Sequence, residues 1–169
     1  MKLRGVAMLC IALIFGLTSC NQQNNGEAQI ELIEKYIDAV EAKDVNIMSE
    51  MLADDYMGYG PSHNDSINKE NAVAMWERNA TELYEKIEYK KSRNMMVNVP
   101  DGENAGDWVS NWAIMEITYK DGSGPIQAWA NTTYLIRNEK ITKTFTFYNE
   151  ADILEQLGYV FVDVDDLYE

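Results

Sequence analysis

The spacing of apolar residues changes once along this chain, and that change limits the folds available to it. Between residues 27 and 43 the apolar positions recur at steps of three and four, as Ile30, Ile33, Ile37 and Val40, which predicts an amphipathic helix. Between residues 88 and 148 apolar and polar residues alternate in runs that end at turn-forming residues, which predicts strands. Helices followed by strands indicate an α+β fold in which helices cover one face of an antiparallel sheet.

Cap and turn residues divide these two regions into elements. Asp44 is placed to cap a short second helix that ends at a turn formed by Asp54 and Asp55, and Asn68 to cap a third helix that runs to Ile87. A short strand is predicted over residues 56–60 and a last helical turn over residues 152–157. The four main strands are predicted over residues 88–99, 107–120, 126–137 and 140–148.

The amino end predicts export and lipid attachment. Lys2 and Arg4 precede an uncharged apolar run over residues 5–17, and this order is typical of a signal peptide. As a helix the run would be about 20 Å long, which is too short to cross a bilayer. The residues Leu17-Thr18-Ser19-Cys20 resemble the lipobox of bacterial lipoproteins. We therefore expect a signal peptide over residues 1–19, lipidation with palmitate at Cys20, a flexible tether over residues 20–26 and one domain over residues 27–169.

Charge and cysteine content limit the partners of the mature chain. Without Lys2 and Arg4 it holds 12 Lys and Arg against 28 Asp and Glu, a net charge of −16, which repels nucleic acid and anionic lipid headgroups. Cys10 leaves with the signal peptide and Cys20 carries lipid, so no thiol remains for a disulfide or a metal. We expect no cofactor and no metal, and a location in the cell envelope. Asn21 after Cys20 favours the outer membrane, with the domain facing the periplasm or the cell surface.

Several segments together carry a resemblance to a known family. Over roughly residues 27 to 158 the chain resembles the SnoaL-like branch of the NTF2-like superfamily. The segments that carry this resemblance are Ala42-Lys43-Asp44, Met51-Leu52-Ala53-Asp54-Asp55-Tyr56, the 68–87 helix and Leu135-Ile136-Arg137-Asn138-Glu139-Lys140-Ile141. The resemblance implies a cone, in which a strongly curved antiparallel sheet wraps round the N-terminal helices and leaves a pocket. Members include ketosteroid isomerase, polyketide cyclases, dehydratases and modules that only bind or assemble, so the fold alone does not assign a function.

If the cone forms, aromatic side chains supply its lining. Tyr56, Tyr59 and Trp76 are expected to contribute from the helices and the first loop. The sheet contributes one row of alternate residues, whose candidates are Trp112, Ile114, Trp129, Asn131, Thr133, Phe145 and Phe147. Alternation alone leaves open which row faces inward, and the same aromatics could fill the cone as core. A wall of this kind suits a small apolar or aromatic molecule.

Catalysis would depend on few candidates. His63 is the only histidine, and with Asp65 beside it could act as a general base, although an exposed loop histidine without a role is the alternative. Many SnoaL-like sequences have an acid after the last strand, where this chain has Asn149. The leading hypothesis is therefore ligand binding without catalysis. The alternatives are an isomerase, cyclase or dehydratase, and a structural envelope protein that forms a homodimer through the open sheet face.

Overall fold

The computed structural model describes residues 21–163 and 165–167. The predicted signal peptide and Cys20 lie outside the described residues. The elements in chain order are helix α1 Asn21–Ala42, helix α2 Val45–Met51, strand β1 Leu52–Tyr59, strand β2 Ser66–Asn68, helix α3 Lys69–Arg78, a π-helical turn Asn79–Leu83, strand β3 Tyr84–Val99, strand β4 Gly106–Tyr119, strand β5 Ile126–Arg137, strand β6 Lys140–Tyr148, helix α4 Glu150–Gln156 and a 3-10 turn Asp165–Leu167. Within these residues no helix is both long and apolar enough to span a bilayer.

The predicted helix caps are confirmed. The carboxylate of Asp44 accepts a hydrogen bond from the Ile47 amide at 3.1 Å, and the amide oxygen of Asn68 accepts one from the Asn71 amide at 3.0 Å. Each bond satisfies an amide that the first turn of the helix leaves unpaired. Helix α1 begins at Asn21, which is earlier than the predicted start at residue 27, so it includes most of the segment predicted as a flexible tether.

Two boundaries in the first half of the chain were predicted wrongly. Helix α3 ends at Arg78, and Ile87 is a buried residue of β3 instead of the last residue of the helix. Ile87 lies at helical spacing from the apolar residues before it and also fits the alternation of the strand after it. Asp54 and Asp55 were predicted as a turn but lie within β1, where both are exposed.

The strands form one mixed sheet of six, in the order β2-β1-β6-β5-β4-β3. Strands β3 to β6 make the predicted antiparallel meander, and β5 and β6 have the predicted bounds. The sheet extends beyond the predicted antiparallel meander and is mixed, because β1 pairs with β6 in parallel and β2 then adds an antiparallel edge. At the opposite edge β3 shifts register between Lys90 and Arg93.

The sheet has two different faces. The inner face packs against α1, α2 and α3, and its central positions are buried, for example Val109, Ala113, Ala128, Tyr134 and Ile141. The outer face carries the alternate residues of the same strands and includes several exposed aromatic side chains. The core therefore lies between the inner face and the helices, as predicted for helices that cover one side of a sheet.

Candidate functional site

The sheet residues predicted to line a pocket lie on the outer face. Trp112 pairs with Asn131 across β4 and β5, and Asn131 pairs with Phe147 across β5 and β6. Trp129 is 66% exposed, Phe147 56% and Trp112 38%. The open question of which row faces the helices is therefore settled against these candidates, and their part in ligand binding stays a prediction. The helices already bring large side chains to the other face, where the sheet supplies alanines in its central strands.

On the outer face the aromatic rings contact one another. Phe145 stacks on Tyr59 at a centroid distance of 5.2 Å and on Trp108 at 5.8 Å. The side-chain amide of Asn131 donates to the Ser110 hydroxyl at 3.0 Å and to the Asn111 carbonyl at 2.9 Å. These contacts hold the outer face in place and leave the Trp129 ring in solvent.

Tyrosines dominate the space between the inner face and the helices. Tyr56, predicted as a site residue, is 7% exposed, and its hydroxyl shares a hydrogen bond with the Thr144 hydroxyl at 2.7 Å. The rings of Tyr36 and Tyr134 meet edge to face at 5.9 Å. Small residues make room for them, since the central strands place Ala113, Ala128 and Ala130 on this face.

Burial keeps these phenols protonated. It raises the pKa of Tyr89 to about 12, with the charge of Glu41 adding to the effect. Burial also raises the pKa of Tyr36 and of Tyr134 well above the usual value, and the neighbouring phenols raise it further. A neutral phenol is a hydrogen-bond donor and not a base. These three phenols can therefore donate a hydrogen bond to a polar group, and they do not act as bases at neutral pH.

Four half-buried aromatic side chains form what we call the aromatic cluster: Trp76, Tyr84, Tyr119 and Tyr148. The rings of Trp76 and Tyr84 meet edge to face at 6.5 Å, and those of Tyr84 and Tyr119 at 5.6 Å. Tyr148 lies at the end of β6, on the same edge of the inner face as the start of β3 and the end of β4. Trp76 was predicted as a site residue, and the three tyrosines were not.

The phenols of the aromatic cluster influence one another and face carboxylates. Burial raises the pKa of Tyr84, and the phenols of Tyr119 and Tyr148 raise it further. Burial likewise raises the pKa of Tyr119, with a further contribution from Asp121. For Tyr148, burial is again the largest cause of the raised pKa, followed by the charge of Glu150, the Tyr119 phenol and the charge of Asp65. We call Asp65, Asp121 and Glu150 the rim carboxylates.

His63 lies in the loop that ends β1, near this edge of the sheet. A hydrogen bond of 3.2 Å from the Gly60 amide to the Asp65 carbonyl closes this loop. Gly60 adopts a φ of +97°, and a Cβ there would lie 2.1 Å from the Thr146 carbonyl oxygen, so only glycine allows this close approach. The imidazole of His63 is exposed.

Two surface depressions occur away from the aromatic cluster. One, of about 470 Å³, lies beside the start of β1 and the β5–β6 turn, with Asp54, Lys69 and Lys140 in its wall. The other, of about 420 Å³, lies between α1 and the irregular part of β3, with Glu41 and Tyr89 in its wall. Neither is lined by the predicted site residues. Among residues 21–163 and 165–167, no three His, Cys, Asp or Glu side chains are grouped as metal ligands would be.

The tyrosines of the aromatic cluster could have been suspected from the sequence. Tyr84, Tyr119 and Tyr148 each stand at a strand end, and Ala128 and Ala130 in the neighbouring strand alternate with Trp129. A row of small residues beside a row of large ones marks the face against which other elements pack closely. The sheet candidates were instead chosen for their large aromatic side chains, which belong mainly to the other row.

Solved structures share this fold at low sequence identity. A candidate polyketide cyclase from Xanthomonas campestris superposes with a TM-score of 0.63 at 13% identity, covering 79% of this chain and 98% of that one. A candidate polyketide cyclase from Silicibacter sp. TM1040 gives 0.61 at 21% identity, covering 78% and 96%. A protein of ketosteroid isomerase-like fold from Catenulispora acidiphila, in complex with trimethylamine, gives 0.59 at 16% identity, covering 77% and 94%.

The sequence itself matches a family model. The match is to the SnoaL-like domain and extends over residues 30–141, from α1 through the start of β6. No curated protein matches the chain by sequence. Together with the NTF2-like and ketosteroid isomerase-like structural neighbours, this match shows that the chain belongs to the SnoaL-like domain family, in the NTF2-like fold.

Proposed function

We propose that this chain is a lipid-anchored SnoaL-like module that binds a small apolar or aromatic molecule at the aromatic cluster. The observation that carries the proposal is the half-buried state of four aromatic side chains, Trp76, Tyr84, Tyr119 and Tyr148, at one edge of the inner face. Rings held in place by edge-to-face contacts, each with a free surface, offer an apolar ligand a preformed place to pack.

The names of structural neighbours support a small organic ligand. They include candidate polyketide cyclases, an epoxide hydrolase from Mycobacterium tuberculosis and a structure in complex with trimethylamine. In this proposal the ligand lies against the open aromatic cluster and not in an enclosed chamber. The phenols of Tyr119 and Tyr148 can donate hydrogen bonds to it because they remain protonated.

Membrane attachment rests on the amino end of the sequence. The apolar run over residues 5–17 and the residues Leu17-Thr18-Ser19-Cys20 support cleavage before Cys20 and lipidation of its sulfur. Since α1 starts at Asn21, the domain would follow the anchor directly. Mass spectrometry of the membrane fraction should find a mature chain that begins with lipidated Cys20. A Cys20→Ser variant should keep residues 1–19, and a soluble, unmodified wild-type chain would refute the anchor.

Tryptophan substitutions can locate the ligand. We expect a soluble aromatic ligand to quench tryptophan fluorescence of the purified chain, and Trp76→Leu to abolish most of the binding by removing one wall of the aromatic cluster. Trp129→Leu is the matched control because Trp129 lies exposed on the outer face. If Trp129→Leu and not Trp76→Leu removes binding, the ligand site is on the outer face. If no ligand of an aromatic panel binds, the proposal fails.

Catalysis is the alternative for the same edge of the molecule. The loop of His63 approaches β6 two residues before Tyr148, where Gly60 contacts the Thr146 main chain. An isomerase, cyclase or dehydratase acting there would need His63 or a rim carboxylate as its base. His63→Ala should then abolish turnover while leaving ligand binding intact. Turnover that survives this change would remove the imidazole from the reaction.

A second candidate role concerns the outer face. Its exposed aromatic side chains lie on adjacent strands, and the Lys90–Glu116 ion pair with Gln127 borders them on one side. An apolar centre with a polar border is the usual composition of a protein interface. We propose that two copies associate through this face. Light scattering should give a dimer for the purified chain and a monomer for Trp129→Glu, whereas a wild-type monomer at micromolar concentration would refute the association.

A further inference from the structure

We propose that the molecule bound at the aromatic cluster carries a positive charge, as an organic ammonium group such as a methylated amine. This inference rests on the proposed function, since it names the chemical class of the ligand for that site. Four aromatic side chains lie at one edge of the sheet, and Asp121 and Glu150 follow Tyr119 and Tyr148 by two residues there. This combination selects a cation over a neutral molecule of the same shape.

The rings supply the first part of the selectivity. Tyr84 lies between Trp76 and Tyr119, with centroid distances of 6.5 and 5.6 Å and interplanar angles of 73° and 72°. Successive rings that are nearly perpendicular present their faces in different directions, so they can surround a small group instead of stacking on it from one side. The face of an aromatic ring carries negative electrostatic potential and attracts an ammonium group within about 6 Å of its centroid.

The rim carboxylates supply the second part. Asp121 is held beside Tyr119 by a turn in which the Gly122 amide donates to the Tyr119 carbonyl at 3.1 Å. Its carboxylate accepts bonds from the Ser123 amide and hydroxyl at 2.9 and 2.6 Å, which fixes its position. Glu150 stands two residues after Tyr148, in the first turn of α4. The charges of Asp121 and Glu150 act on the phenols of Tyr119 and Tyr148, whose pKa values they raise.

Among the described residues, the neighbouring Lys43 and Lys120 form no ion pair with a rim carboxylate. The Lys43 ammonium donates to the main-chain carbonyls of Tyr84 and Glu85 at 3.1 and 2.8 Å. The Lys120 ammonium donates to the carbonyls of Ala80 and Thr81. Lys43 therefore bonds to the first residues of β3, and Lys120 bonds to the π-helical turn before that strand. The net charge of −16 on the chain without residues 1–19 adds a long-range attraction for cations.

Two ligands of equal shape test the charge directly. (4-Hydroxyphenyl)trimethylammonium and 4-tert-butylphenol differ in one atom, nitrogen for carbon, and hence in charge. We expect calorimetric titration of the purified chain to give about tenfold tighter binding of the ammonium compound. Equal or tighter binding of the neutral compound would overturn the charge inference and leave the proposed function standing. Binding of neither compound would overturn both.

A matched pair of variants tests the carboxylates. Glu150→Gln should weaken binding of the ammonium compound about threefold at low salt, and this effect should shrink as salt is added. Glu155→Gln, a change on the exposed surface of the same helix, should leave binding unchanged. Neither variant should alter binding of 4-tert-butylphenol. If both variants weaken ammonium binding equally, the attraction is a general effect of net charge and the assigned rim is wrong.

Because Glu150 lies in the first turn of α4, circular dichroism of Glu150→Gln checks that the helix is retained. Tyr148→Phe provides a second variant, since it keeps the ring and removes the hydroxyl. It should retain the preference for the ammonium compound. Tyr148→Leu removes the ring and should reduce that preference severalfold. A preference that is unchanged in Tyr148→Leu would remove this ring from the site.

Discussion

Gly58 is the position at which a single added methyl group should disturb the interior most directly. A Cβ at residue 58 would lie 2.6 Å from the Tyr56 hydroxyl oxygen, and 3.1 Å from both Ile67 Cγ2 and Thr144 Oγ1. The Tyr56 ring is rigid and buried, and its hydroxyl is held by the 2.7 Å hydrogen bond to Thr144. The hydroxyl therefore cannot move aside without breaking that bond. Gly58→Ala is expected to destabilise the fold.

The distances indicate how large the effect is. Overpacking a well-filled core typically costs about 1–3 kcal/mol, and we expect Gly58→Ala to lie near 2 kcal/mol. Tyr56→Phe alone should cost about 1 kcal/mol, because it removes the hydrogen bond and leaves the buried Thr144 hydroxyl without this partner. In the double variant the 2.6 Å contact no longer exists, and the remaining contacts at 3.1 Å need shifts of only a few tenths of an ångström.

The two changes should therefore not add. We expect the double variant to be about 1 kcal/mol more stable than the sum of the single variants predicts. Urea unfolding followed by circular dichroism measures all four free energies of the cycle. Additive free energies would show that the hydroxyl does not limit the space at residue 58, and a neutral Gly58→Ala would refute the packing described for this region.

Three further predictions concern stability, and urea unfolding measures each of them. Asn111 is 2% exposed, and its side-chain amide donates to the Ser92 hydroxyl at 2.7 Å and to the Asn94 amide oxygen at 2.8 Å. Asn111→Leu should therefore lower the free energy of unfolding by about 1–3 kcal/mol. An unchanged free energy would contradict these hydrogen bonds. Burial raises the pKa of Tyr89 from 10.0 to about 12. The Tyr89 phenol therefore contributes its full stabilisation below pH 10. Between pH 10 and pH 12 that contribution should fall by about 1.4 kcal/mol per pH unit, because only the unfolded chain loses the proton. If the free energy of unfolding of the wild type does not change between pH 10 and pH 12, or if Tyr89→Phe leaves its slope against pH unchanged, Tyr89 is not the group responsible. Gly26→Ala in α1 meets only Met96 Sδ at 3.5 Å and should stabilise the chain by about 0.5 kcal/mol, whereas a loss would indicate a closer contact.

Local patterns were sufficient for the elements with clear turns. β5 and β6 are joined by Asn138 and Glu139, both at positive φ, and their ends were predicted correctly because turn residues interrupt an unbroken alternation. Asp54 and Asp55 were misassigned because acidic pairs usually mark a turn. In β1 they are tolerated because both side chains reach solvent, and Lys69 pairs with Asp54 at 3.0 Å.

The orientation of the sheet could not be derived from alternation. Two rows of residues in β5 compete for the inner face, one with Trp129 and Asn131 and one with Ala128 and Ala130. Burial of aromatic area favours the first row if a strand is considered alone. In the folded chain the second row is buried, because the helices that cover this face already bring large side chains such as Tyr36 into the core. This decision depends on contacts between distant segments, which a single sequence does not display.

The irregularity in β3 has a consequence for how neighbouring copies meet. β3 is an edge strand of 16 residues, long enough to accept a strand from another molecule along its free side. Its register shifts between Lys90 and Arg93, and Lys91 adopts a φ of +55° between them. An offset ladder with a group of cations at its middle resists continuous pairing with a second chain. A lipid anchor, as proposed, would concentrate the protein in the plane of a membrane, where collisions between β3 edges are frequent. The irregularity in β3 would there hinder aggregation through intermolecular β-sheets.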